Sequence, residues 1–158
     1  MLEGAPHVLL ALEQGFGAAI RQSAWAYPAA NIGHVVALTV LAGAIAVMDA
    51  GLLGWLGGTS WASVVRPAQR VVIAGLLAMV FTGSILFAAE ASHLAANRVF
   101  LLKMALLLVA VANAGFAGTL LRGLPGEAAV PRAVKFSAML SLGLRLAIAA
   151  AGRTIAYF

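Results

Sequence analysis

Apolar residues fall into four long runs, separated by short stretches rich in glycine, proline and charge. Each run approaches the roughly 20 residues a helix needs to cross a hydrocarbon core, which places spans at about 28–50, 67–89, 99–121 and 133–155. Within the first run, YPAANIGHVVALTVLAGAIAVMD, helical periodicity puts Tyr27, Asn31, His34, Leu38, Leu41, Ile45 and Asp49 on one stripe. The strongly polar side chains share that face, and because amide and ionisable groups are costly in lipid the stripe is expected to turn towards protein. In the second run Leu76, Met79, Gly83, Leu86 and Glu90 share a face, with Gly83 allowing close helix contact. The third run has one polar or small-residue stripe, Lys103, Leu106, Ala110, Asn113 and Ala117, and the fourth has Ser137, Ser141 and Arg145 at i+4 spacing. Ser137 and Ser141 make a small-xxx-small contact pair.

A shorter pattern precedes the spans. Pro6 can open a helix over 6–23 in which Leu9, Leu12, Phe16 and Ile20 form one face and His7, Gln14 and Arg21 the other. That is the pattern of an amphipathic helix lying in the membrane interface, and Trp25 and Tyr27 follow it where aromatic rings favour headgroup depth. Glu13 and Gln14 interrupt the apolar part and no basic residue precedes it, so a cleaved signal peptide is not expected. The segment GLLGWLGGTSWASVVRP reads as an interfacial loop with Trp55 and Trp61, and Pro67 is expected to start the second span. RGLPGEAAVPR breaks the chain before the fourth. The fold expected is an all-α membrane protein, a four-transmembrane-helix bundle with an N-terminal interfacial amphipathic helix, forming a single domain over 1–158.

Composition agrees with this and narrows the chemistry. Of 158 residues 63% are hydrophobic and only 9% charged, far from the usage of soluble domains. The net charge of +5 is scattered, without the basic runs and interleaved aromatics that nucleic-acid binding requires. With no cysteine, the chain can form no disulfide, thiolate metal site, iron–sulfur cluster or covalent haem link. There is no nucleophile–base constellation, phosphate loop or zinc signature, so no hydrolase or transferase is indicated.

Four spans put both termini and the second loop on one side of the membrane. Arg66, Arg70, Arg122, Arg132 and Lys135 flank the other two loops, so the positive-inside rule favours periplasmic termini in a bacterial inner membrane. His34, Glu90, His93, Lys103 and Arg153 all fall near the terminal side, and Arg145 can extend towards the same layer. Asp49 and Asn113 lie nearer the opposite face. The expectation is one polar, net basic cavity on the terminal side, covered by the helix that carries His7 and suited to an anionic or redox-active ligand.

Two histidines on neighbouring helices can ligate haem b, and His34 with His93 is the available pair; Lys103, Arg145 and Arg153 would meet its propionates. A metal site from His34, Glu90 and His93 is a second arrangement, the Glu-x-x-His spacing putting two ligands on one helical face. A histidine so placed can equally serve as a hydrogen-bond partner for a neighbouring helix.

The segments NIGHVVAL, FTGSILF, NRVFLLKMALLLVAVAN and the closing GRTIAYF resemble a family of small bacterial four-helix membrane proteins without an assigned activity. More distantly, the first-span histidine and the lysine opening the third helical run are similar to those of HemJ-type protoporphyrinogen oxidases and CopD-like copper-handling membrane domains. The HemJ-type resemblance implies haem or porphyrin binding at His34 and Lys103, while that family's remaining motifs are not evident. The resulting expectation is a membrane haem b or tetrapyrrole protein serving electron transfer, with quinone or another redox partner. The alternatives are a cofactor-free accessory subunit, packed in a larger membrane complex or homo-oligomer, and a copper-handling protein.

Overall fold

The computed structural model describes residues 7–154; Pro6 and residues 155–158 of the closing motif lie outside the described residues. The element order is α1 (His7–Leu12), a π-helical turn (Glu13–Gly17), α2 (Ala18–Gln22), α3 (Ala26–Leu53), α4 (Trp61–Ala89), α5 (Ala91–Ala96), α6 (Arg98–Leu121) and α7 (Arg132–Thr154). Four of these, α3, α4, α6 and α7, are long and apolar enough to cross a membrane, and no strand interrupts them among the described residues. The chain is an all-α, multi-pass membrane protein.

The helix ends follow local chemistry. Ser23 Oγ accepts the Ala26 amide at 3.1 Å and starts α3, and Asn97 Oδ1 accepts the amides of Val99 and Phe100 at 2.9 and 3.1 Å and starts α6. Ser60 caps α4, which consequently begins at Trp61, six residues ahead of the proline expected to open it. Pro67 is therefore inside the helix, where it forgoes the bond to the Ser63 carbonyl. Trp61, expected in a loop, is buried in the first turn, and its Nε1 donates to the Ala128 carbonyl of the loop before α7 at 3.1 Å.

Packing defines two hairpins, α3/α4 and α6/α7, joined where α3 meets α7. No comparable seam joins α4 to α6 among the described residues, although Phe87 and Phe100 stack at 5.8 Å between ring centroids where those two helices approach the terminal side. The apolar core lies at the other end: Leu52, Trp61, Ala62, Val65, Ala117, Val134 and Ala138 pack together beneath the two long loops, with Val134 fully enclosed. Around this core Leu77, Phe81, Leu102, Leu108 and Leu146 point outward, as expected for surfaces solvated by lipid.

The N-terminal helix docks differently from its expected pattern. Gly17 and Ile20 are buried, whereas Val8, Leu12 and Phe16 are exposed. The π turn supplies the reason, since one extra residue per turn rotates the face that follows it. Glu13, Gly17 and Arg21 consequently line up on the protein side, and Val8, Leu12 and Phe16 face away from it. A side chain at Gly17 would collide with the Ala88 backbone, so only glycine permits this approach.

Candidate polar site at the terminal side

His34 sits about two turns inside α3 and Thr82 about two turns from the end of α4, at matching depth. His34 Nδ1 and Thr82 Oγ1 are 2.9 Å apart, and the Thr82 hydroxyl is 2.7 Å from the Ala78 carbonyl, to which it donates. With the Thr82 hydroxyl donating to Ala78, the tautomer that completes the His34–Thr82 bond is the one protonated on Nδ1, and Nε2 has no hydrogen-bond partner among the described residues. The ring also lies flat enough against α4 that a Cβ at Gly83 would come within 3.2 Å of His34 Cε1. Gly83 does allow close contact, and what it accommodates is the imidazole.

Lys103 enters the same layer from α6. It is the charged side chain acting electrostatically on His34, and its Nζ lies 3.8 Å from the position a Cβ would take on Gly152 of α7. Lys103 has neither a carboxylate nor a carbonyl partner among the described residues. Arg153 follows Gly152 in the last turn of α7, so three helices contribute nitrogen-bearing groups at one end of the protein.

The remaining candidates are placed elsewhere. The α4 helix ends at Ala89 and Glu90 adopts φ −138° and ψ 37°, so Glu90 and His93 do not share a continuous helical face. Both are exposed; Glu90 lies near the Tyr27 phenol, and His93 on α5 lies within electrostatic reach of Glu13. Among the described residues no three histidine, aspartate or glutamate side chains converge as metal ligands, so His34, Glu90 and His93 are not gathered into the metal site that their spacing suggested.

Arg145 likewise leaves the layer assigned to it. Its Nη2 lies 2.9 Å from Asp49 Oδ2 and its Nη1 donates to the Ala42 carbonyl at 3.3 Å. Asp49 is 4% exposed, and Ser141 stands alongside its carboxylate. Next to this pair, Asn113 Nδ2 donates to the Ser137 carbonyl and Ser137 Oγ donates to Asn113 Oδ1, each at 2.9 Å. The polar groups of α3, α6 and α7 on the loop side therefore pair with one another, Asp49 Oδ2 through the charge of Arg145 and not through a hydrogen bond, which separates Arg145 from His34 and Lys103.

Sequence reasoning missed the fastening of the terminal end. Glu13 accepts from the Ser92 amide at 2.9 Å and from the Ser92 hydroxyl, while Arg21 donates to the Ala89 carbonyl and lies 3.7 Å from Glu13. One carboxylate thus caps the start of α5 and one guanidinium caps the end of α4. The spacing of Glu13, Gly17 and Arg21 at four-residue steps was the available signal. The paired hydrogen bonds from Ser92 hold the Glu13 carboxyl below its ordinary range, with Arg21 and His93 adding to the effect.

No protein-family model, curated protein or solved structure matches this chain.

Proposed function

We propose that the terminal-side site binds a tetrapyrrole of the haem b class and serves electron transfer in a bacterial inner membrane. The observation that carries this reading is the orientation of His34: Thr82 holds Nδ1 at 2.9 Å, so Nε2 is the ring nitrogen that would be available to a metal. A second group that fixes the far nitrogen of a metal-binding imidazole is the usual accompaniment of histidine ligation. Lys103, a cation without an anion among the described residues, would meet a propionate carboxylate, and Arg153 stands at the same end. The residues therefore fit a tetrapyrrole held by one histidine. They give less support to two-histidine ligation, because His93 is exposed on α5.

Bound there, the group would supply one-electron chemistry, and the protein would supply a ligand, a charge partner and a lipid-facing surface open to quinone. The distribution of Arg66, Arg70, Arg122, Arg132 and Lys135 supports periplasmic termini.

The deciding experiment is the visible absorption spectrum of detergent-purified protein before and after dithionite. A Soret band with sharp reduced α and β bands is expected, abolished in His34→Ala and retained in His93→Ala. A colourless wild-type chain with no metal by elemental analysis overturns the reading. It would favour the accessory-subunit alternative, for which α6 offers a suitable face: its apolar window buries none of its residues within the chain. Stoichiometric partners would then co-purify.

A further inference from the structure

Along the α3/α4 hairpin, from Gly33 beside His34 towards the two long loops, runs an open furrow of about 490 Å³. Its floor is built from small residues, Gly33 and Ala37 on α3 and Ala74, Gly75 and Ala78 on α4. The helices touch closely there, since a Cβ on Gly75 would meet Leu41 Cβ at 3.1 Å. Val40 and Val71 form its rims and are about half exposed. Arg70 closes the end nearer the two long loops.

Arg70 is the unusual residue. It stands at the loop-side edge of the apolar run of α4, which begins at Val71, about 13 Å along the axis from Trp61, and it is exposed. Among the described residues it has no carboxylate or carbonyl partner, and Arg66 stands one turn nearer the loops in the same condition. A guanidinium at this edge reaches the headgroup layer, where anionic lipid phosphates lie. The furrow leads from that charge for about 12 Å along α4, from Arg70 to Ala78, which suits a stretched acyl chain.

We propose that this furrow is a specific site for an anionic glycerophospholipid, one acyl chain lying over Ala74 and Ala78 and the phosphate held by Arg70 with help from Arg66. Charge complementarity selects this occupant: an apolar trough with a bare guanidinium at its end fits a molecule with a negatively charged head and a long tail. Arg70 gives the headgroup two parallel donors, a geometry a diffuse basic surface does not provide.

The test is native mass spectrometry of delipidated protein in detergent, titrated separately with phosphatidylglycerol and phosphatidylcholine. One saturable phosphatidylglycerol is expected to bind in clear excess over phosphatidylcholine. Arg70→Gln should weaken it about fivefold, and Arg66→Gln by less. Ala74→Phe, which fills the trough and leaves the charge, should also weaken it, whereas Arg122→Gln on the opposite hairpin should not. Arg70 is exposed, so its replacement leaves the fold intact, and the circular dichroism of each variant checks this. Equal uptake of the two lipids overturns the proposal, as does an equal loss in Arg122→Gln. A dimer that disappears in Ala74→Phe would overturn it in favour of a second copy of the chain in the furrow.

Discussion

The two ends of the bundle treat their polar groups in opposite ways. On the loop side, Asp49 and Arg145 form an ion pair, Asn113 and Ser137 exchange hydrogen bonds, and a tight apolar core surrounds the beginning of α7. On the terminal side, His34 spends one nitrogen on Thr82 and keeps the other, and Lys103 has no counter-charge among the described residues. Both sets lie in spans where lipid cannot solvate them. The closed set joins α3, α6 and α7 into one body; the open set holds bonding capacity that only something outside the described chain can use. The paired set ties helices together, and the unpaired one is the basis of the binding reading proposed above.

Breaking the closed set should produce the largest effect. Asp49→Ala leaves the Arg145 guanidinium without its carboxylate in a largely buried position, and a broken buried pair costs about 3–5 kcal/mol. Thermal or denaturant unfolding in detergent measures this. The double replacement Asp49→Leu with Arg145→Leu should recover most of the loss, because it removes both charges. If Asp49→Ala unfolds no more readily than wild type, the loop-side pair is not structural and the contrast between the ends disappears.

A smaller effect concerns the N-terminal strap. The folded-state pKa of Glu13 is depressed, so its contribution is complete above the ordinary carboxylate value of 4.5 and is lost as pH falls through the lower folded value. Hydrogen exchange of residues 13–22 should therefore be steady, after correction for intrinsic rates, from pH 8 to about pH 5 and rise only in more acid solution. Glu13→Gln should exchange faster above the acid range, match wild type in acid and lose this pH step. The charged groups that face it are Arg21 on its own helix and His93 on α5; a step lying above the ordinary carboxylate value would show that Glu13 does not hold the strap.

The spans could be read from sequence because hydrophobic runs of this length have few other uses. Their ends differ from expectation by only a few residues except at Trp61, where the Ser60 cap outweighed the proline signal. The stripe on α6 was also legible: Lys103, Leu106, Ala110 and Asn113 are half-buried and Ala117 is buried. Pairings across helices were not. Periodicity assigns a residue to a face, and depth along the helix put Arg145 with the terminal-side layer; its pairing with Asp49 depends on α7 lying against α3, a relation no single helix encodes. Thr82 was visible only as part of FTGSILF, since a threonine in a span usually bonds within its own helix. Here it does that as well, while also standing 2.9 Å from His34 Nδ1. The break at Glu90 escaped because its cause lies far away in sequence, in the caps supplied by Glu13 and Arg21.

The smallest expected change is the sharpest test of the terminal side. Removing a charge that contributes to folding destabilises a protein, whereas removing an uncompensated one relieves a desolvation cost. Lys103→Met keeps the length and apolar stem of the side chain and deletes only the ammonium. Ligand-free protein carrying it should be as stable as wild type or slightly more so, within about 1 kcal/mol, as expected where a site trades stability for function. The same variant should bind the anionic tetrapyrrole more weakly while His34 still gives an absorption spectrum of the wild-type shape. A loss of stability comparable to that of Asp49→Ala would mean that Lys103 has a structural partner and that both ends of the bundle are built alike. Equal stability with unchanged ligand affinity would remove Lys103 from the site and leave His34 as its only anchor.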